Sequence, residues 1–163
     1  GPNGLPSQTI AKSLGIELSG GIVPASSDER CHVFSKPDGQ LAVHPITDGR
    51  EESESVDRVT TYIGQAFQAS EDYVPLLTFG SGSKQFVDPK AANSGTVGQD
   101  VEGWLQGAAA ELGRGRVAVF GEAGMFTTRY SAFRNKPVGM HTEEADQNAQ
   151  FLLNVMRWLS RRL

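Results

Sequence analysis

The chain has 163 residues, 38% hydrophobic and 21% charged, so it holds enough apolar material for one packed domain and too much for a disordered tail. Its net charge of -4 and isoelectric point near 5.4 argue against nucleic acid as a partner, because no basic field is present to bind phosphates. No run of residues approaches the roughly 18 apolar residues of a spanning helix, so no membrane insertion is expected.

The N-terminal part carries one helix pattern and one short strand pattern. Residues 6–14 place apolar side chains on one side and stop before Gly15, which predicts a short helix with a glycine end. Residues 16–18 predict a brief strand, and the polar residues 19–31 predict a loop. Cys31 is the only cysteine, so no internal disulfide is expected.

Two segments follow that differ in polarity. Residues 32–35 and 40–43 flank a Pro-Asp-Gly turn, which predicts a small hairpin around residues 36–39. Residues 48–57 are polar and acidic, and such a run is typical of an exposed loop.

The middle of the chain alternates between apolar and polar segments. Residues 59–67 and 74–79 are rich in β-branched, aromatic or aliphatic residues and predict two strands. Residues 80–99 are polar and glycine-rich, and their length suits a mobile loop or an active-site flap.

The last third predicts a hairpin and a closing helix. Residues 104–112 and 116–120 flank Gly113-Arg-Gly115, and the second arm is apolar on both faces, which is typical of a strand inside a covered sheet. Residues 142–162 predict a helix capped by Thr142. We expect the buried face of that helix to be wide and to contain Ala149, Leu152, Leu153, Met156 and Leu159, extended by Phe151, Val155 and Trp158.

Familiar catalytic and metal-binding patterns are absent from the sequence. Gly80 and Gly82 precede Lys84, but the spacing does not fit a phosphate-binding loop. The three histidines lack the spacing of metal-binding helices, and no Gly-x-Ser-x-Gly elbow or cysteine equivalent occurs. Cys31 and His32 are neighbours on an expected strand, so their side chains point to opposite faces. We therefore expect no metal and no cofactor.

A few polar residues remain as candidates for a site. Glu122 directly follows the apolar strand 116–120, where a carboxylate can bind a ligand, act as a base, or simply accept backbone N–H groups of the next turn. His44 precedes Pro45 in a turn and is either a ligand group or a histidine bonded to nearby backbone. Asn148 lies in the first turns of the last helix, where its amide can bond a neighbouring loop.

Four segments of the sequence resemble the class I glutamine amidotransferase-like superfamily. They are residues 44–49 (HPITDG), 62–67 (YIGQAF), 113–127 (GRGRVAVFGEAGMFT) and 146–159 (DQNAQFLLNVMRWL). The match is to bacterial proteins of undefined function, related to the amidotransferase-like domains of gliding-motility and intraflagellar-transport proteins. The resemblance implies a three-layer α/β domain with a mainly parallel, flavodoxin-like central sheet, and an exported or periplasmic soluble protein.

Two departures from that superfamily limit what the resemblance implies. The usual first strand before the helix at residues 6–14 is missing, which suggests a fragment or a sheet completed by another chain. No cysteine occupies an elbow, so glutaminase activity is not expected.

We expect a single domain over residues 1–163. Its expected function is non-catalytic binding of a small polar ligand or a protein partner, with Glu122, His44, Gln65 and Asn148 at the crevice. The alternative is a hydrolase that uses Glu122 with His44. A homo-oligomer or an N-terminal companion segment is a further expected partner, because an uncovered sheet edge tends to pair.

Overall fold

A computed structural model describes residues 5–25, 31–88, 91, 96–131 and 135–163. Within these residues lie three α-helices, α1 (Leu5–Ser13), α2 (Pro45–Asp48) and α3 (Asn148–Leu159). The strands are β1 (Ile16–Leu18), β2 (Val23–Pro24), β3 (His32–Ser35), β4 (Arg58–Thr61), β5 (Ile63–Gly64), β6 (Phe67–Ala69), β7 (Val74–Thr78), β8 (Lys84–Gln85), β9 (Gln99–Asp100), β10 (Leu105–Leu112), β11 (Gly115–Phe120), β12 (Thr128–Ser131) and β13 (Lys136–Gly139).

One five-stranded sheet organises the described chain. Its strands follow the order β1-β6-β10-β11, and β7 pairs with the edge of β10 opposite β11. Four two-stranded pairs surround it, β2 with β5, β3 with β4, β8 with β9, and β12 with β13. Every one of these strand pairings is antiparallel.

The predicted three-layer α/β fold with a mainly parallel, flavodoxin-like sheet is therefore wrong. Parallel neighbours need a crossover connection of a dozen or more residues, usually a helix. Here β10 and β11, the longest strands, are joined by two residues, and Gly113 supplies the positive φ of 58° that this tight turn requires. Apolar residues on both faces of β11 had suggested a strand inside a covered sheet, but β11 lies at the end of the sheet order.

The two faces of the sheet belong to two apolar clusters. Ala109, Ala118 and Phe120 face the larger cluster, in which Phe151, Val155 and Trp158 of α3 are buried. Alternate residues of the same strands, including Val117 and Val119, face a smaller cluster on the side of α1. α3 therefore covers one face of the hairpin, and Val117 and Val119 on the other face remain half-buried.

Several local predictions are confirmed. The first helix, the strand at residues 16–18, the strand at 74–79 and the hairpin at 104–120 all appear within one or two residues of their expected bounds. The last helix is shorter than expected, since residues 143–145 form a separate 3-10 turn before α3.

Other local predictions are corrected by long-range pairing. The turn after β3 closes, since the N–H groups of Gln40 and Leu41 donate to the Ser35 carbonyl at 3.1 and 3.0 Å, but β3 forms its strand pairing with β4. Residues 40–42 extend along β7, where the Ala42 N–H donates to the Leu76 carbonyl at 3.0 Å. The expected strand at 59–67 is divided among β4, β5 and β6. In the acidic segment 48–57, Glu54 is buried and pairs with Arg50 and Arg157. The expected loop 80–99 carries β8 and begins β9, and residues 89–90 and 92–95 lie outside the described residues.

Candidate functional site

Glu122, the first candidate, follows β11 and is 7% exposed. Its two carboxylate oxygens accept the backbone N–H groups of Tyr62 and Ile63 at 2.9 and 3.0 Å. The carboxylate therefore holds the junction between β4 and β5 against the end of β11. This arrangement is the backbone-binding role that the sequence left open for Glu122, with the N–H donors on a distant segment.

Gln65 lies beside Glu122 and also serves the backbone. The Gln65 N–H donates to the Gly121 carbonyl at 2.9 Å, and its side-chain amide donates to the Ser19 carbonyl. Gly121 is needed here, because a Cβ at this position would overlap the Gln65 carbonyl. Gln65 therefore bridges the end of β11 to the segment after β1.

Asn148 opens α3 and is fully buried. Its amide nitrogen donates to the carbonyls of Thr60 and Met125 at 2.7 and 3.0 Å, and its amide oxygen accepts the Thr60 N–H at 2.9 Å. The side chain thus pairs with Thr60 as a neighbouring strand would. The expected bond to a neighbouring loop is present, and it fixes α3 against β4.

His44 lies at the other end of the sheet. It is the N-cap of α2, where its Nδ1 accepts the Ile46 N–H at 3.1 Å, and its ring meets Trp158 edge-on at a centroid distance of 5.5 Å. Burial lowers the pKa of His44, Asp48 opposes that shift, and the charge of Arg116 adds to it.

The structure brings together three of the four candidates and leaves His44 apart. Trp158 lies under the Arg116 guanidinium, 4.9 Å from the ring centroid, so His44 belongs to the Arg116 end of β11. Six residues of extended chain, roughly 20 Å, separate Arg116 from Glu122. A hydrolytic pair of Glu122 and His44 would need both groups at one bond, and this separation does not provide it.

The described residues contain no group of three or more His, Cys, Asp or Glu side chains that could hold a metal ion. A groove of about 430 Å³ lies between α1 and β1, lined by Gln8, Lys12 and Glu17 among others. The residues that line it include neither Glu122 nor His44. None of the helices in the described ranges is long and apolar enough to cross a membrane.

A different surface stands out at the edge of the main sheet. β11 pairs with β10 on one side, and no described strand pairs with its other side. Gly121, which follows β11, donates its N–H to the Gln106 carbonyl on β10 at 2.9 Å. By strand alternation, residues 115, 117 and 119 also direct their backbone groups to β10, whereas Arg116, Ala118 and Phe120 direct theirs outward.

The outer face of α3 is also apolar and exposed. Ala149, Leu153, Met156 and Leu159 are exposed and Leu152 is half-buried, so the five form one stripe along the helix. The predicted buried face was therefore wrong at the four exposed positions and right in Phe151, Val155 and Trp158, and Leu152 lies between the two. The buried side is completed by two polar residues, Asn148 and Asn154.

The α3 stripe and the free edge of β11 lie on the same side of the molecule. Residues 40–42 extend the sheet beyond β7, and α2 begins directly after them, so α2 is on the side away from β11. Asn154 points toward α2, since its amide donates to the carbonyls of Ile46 and Glu54. At 100° per residue the centre of the stripe is roughly 160° from Asn154, away from α2. We call the free edge of β11 and this stripe the open flank.

Sequence reasoning missed the open flank because it expected both parts to be covered. The signal was present in the same residues. A helix whose apolar residues span more than half of its circumference carries more apolar surface than one buried face requires. Comparisons of this chain with protein-family models, with curated proteins and with solved structures found no match.

Proposed function

We propose that this chain is a non-catalytic protein-interaction domain that binds an extended polypeptide along the free edge of β11. The observation that carries the proposal is the open flank itself. A six-residue strand presents outward N–H and C=O groups at Arg116, Ala118 and Phe120, beside an exposed apolar helix stripe. Unpaired strand edges are templates for strand addition.

The apolar side chains of β11 favour the addition of a further strand at this edge, because such a strand would remove their remaining surface from water. Val117, Ala118, Val119 and Phe120 are all half-buried, so each keeps apolar surface that a neighbouring strand would cover. Proteins usually protect such an edge with a charge, a proline, a bulge or a very short strand. β11 has no proline, its register with β10 is regular, and its single charge, Arg116, is turned to Glu111 and Trp158.

A small polar ligand at Glu122, Gln65 and Asn148 has less support. Both carboxylate oxygens of Glu122, the side-chain nitrogen of Gln65 and both polar atoms of Asn148 bond to backbone groups. A ligand would have to replace these bonds, which hold β4, β5 and α3 in place. The polar groups at this end of the sheet are better explained as supports of the fold.

A strand peptide tests the proposed function directly. A fluorescein-labelled peptide with the sequence of residues 114–121 should bind the chain saturably in fluorescence anisotropy, because it can pair with β11. In amide NMR spectra its addition should shift Arg116, Ala118 and Phe120 most. The matched control is the same peptide with proline in place of its central alanine, which lacks one donor and should bind at least tenfold more weakly.

Two results of this experiment would contradict the proposed function. The first is the absence of saturable binding up to millimolar peptide. Shifts confined to Ile16–Leu18, at the opposite end of the sheet order, would also contradict it.

A further inference from the structure

We infer that the occupant of the open flank is a second copy of this chain, with β11 paired antiparallel to its own copy across a twofold axis. This inference rests on the proposed function, and it identifies the bound polypeptide as a second copy of the chain. A partner that offers both a strand and a helix would cover the strand edge and the apolar helix stripe together. The chain itself carries that combination, in β11 and α3.

The strand pairing is self-complementary in one register. With the axis at Ala118, the outward-facing residues pair as Ala118 with Ala118 of the copy and Arg116 with Phe120 of the copy. On the opposite face of the sheet, Val117 then lies across from Val119 of the copy. β-branched pairs of this kind stabilise antiparallel strands.

No like charges meet in this register. Arg116 is the only charged residue of β11, and its Nε donates to the Glu111 carboxylate at 2.7 Å while its Nη1 donates to the Trp158 carbonyl at 2.7 Å. Pairing with Phe120 of the copy leaves these bonds intact and keeps the two guanidinium groups apart. The pairing thus demands no new partner for a buried charge.

The α3 stripe fits the same axis. A twofold axis perpendicular to the sheet at the edge of β11 brings α3 toward its copy on the same face of the sheet, in an antiparallel orientation. Leu152 and Leu159 lie on the side of the stripe nearest the sheet, and Met156 lies farther out. Arg157 is directed toward α2 by its ion pair with Glu54, 2.7 Å between Nη1 and Oε1, so the helix contact is free of that charge.

The opposite end of the sheet explains why pairing would stop at two copies. β1 has three residues, half the length of β11, and short edge strands resist pairing. A contact that uses the same surface on both partners closes on itself and does not propagate into a fibre. The expected product is a dimer with one continuous sheet.

Analytical ultracentrifugation of the full chain between about 1 and 200 μM tests the inference. We expect a dimer that dissociates on dilution. The variant Leu152→Lys/Met156→Lys should raise the dissociation constant at least tenfold, because it places two charges of one sign on each side of the axis. The matched control Val87→Lys/Val97→Lys changes two valines that are 84% and 88% exposed outside the open flank, and should leave the constant unchanged.

The outcomes separate this inference from the proposed function. A monomer across the whole range, or a dimer weakened by the valine control and not by the α3 variant, overturns the second copy as occupant. If such a monomer still binds the strand peptide, the proposed function stands without the dimer. If circular dichroism shows that the α3 variant is unfolded, the single variant Leu153→Lys, at a side chain 51% exposed, replaces it with the same expected direction.

Discussion

The carboxylate of Glu122 accepts the backbone N–H of Tyr62 at 2.9 Å, across 60 residues of sequence. The other carboxylate oxygen accepts the N–H of Ile63, so Glu122 supplies the hydrogen-bond acceptors that a neighbouring strand would otherwise supply at the junction of β4 and β5. A charged group that looks catalytic in the sequence is therefore a structural acceptor in the fold.

Replacing Glu122 should reduce stability. Glu122→Gln keeps one acceptor and turns an N–H₂ group toward a backbone donor, so one buried N–H loses its partner. The expected loss is about 1–3 kcal/mol of unfolding free energy, measured by urea denaturation. Glu102→Gln, at an exposed glutamate, is the control and should change the unfolding free energy by less than about 0.5 kcal/mol. Equal stability of the two variants would contradict a structural role for Glu122.

Stability should fall as the pH drops below the ordinary pKa of histidine. Burial lowers the pKa of His44 from 6.5 in the folded chain, so below that pH the unfolded chain binds a proton that the folded chain resists. The contribution is present above pH 6.5 and is lost as the pH falls toward the folded value. Protonation of Nδ1 would also remove the acceptor for the Ile46 N–H.

The test for His44 is the slope of unfolding free energy between pH 7 and pH 5. His44→Asn keeps an N-cap acceptor and removes the titrating group, so it should flatten the slope. His141→Asn, at an exposed histidine, is the comparison and should keep the slope of the parent chain. An unchanged slope in His44→Asn would show that His44 does not couple folding to pH.

The two sides of α3 should respond differently to truncation. Phe151 is fully buried and contacts Phe120 and Phe126 at centroid distances of 5.7 and 6.1 Å, so Phe151→Ala should cost about 3–5 kcal/mol. Leu153 is 51% exposed, and Leu153→Ala should cost less than about 1 kcal/mol at concentrations where the chain is monomeric. Similar losses for the two variants, measured by urea denaturation, would contradict the orientation of α3.

Local features of this fold could be predicted from sequence, and partners distant in the chain could not. The hairpin of β10 and β11 follows from two apolar runs around a glycine turn, because its register is set by the turn itself. The pairing of β3 with β4 joins strands that are separated by the 22 residues 36–57, and no local pattern encodes it.

The orientation of α3 shows the same limit. Apolar residues cover more than half of the circumference of the helix, so periodicity alone does not choose which part of that arc is buried. The choice is made by Asn148 and Asn154, whose amides bond to carbonyls of Thr60 and Ile46, 88 and 108 residues away. Glu122 and Asn148 could be chosen as candidates from the sequence, because each is a polar residue next to an apolar strand or helix. Their hydrogen-bond partners are visible only in the folded chain.

Amide hydrogen exchange along β11 tests the central claim, that this strand presents a free edge which a partner strand covers. In dilute monomeric chain we predict alternation, with slow exchange at Val117 and Val119, whose N–H groups face β10, and fast exchange at Arg116, Ala118 and Phe120. At concentrations that form the dimer, or with saturating strand peptide, the three fast amides should become at least tenfold slower. Uniform protection of all five amides in the dilute monomer, with no change on concentration or peptide addition, would contradict the account.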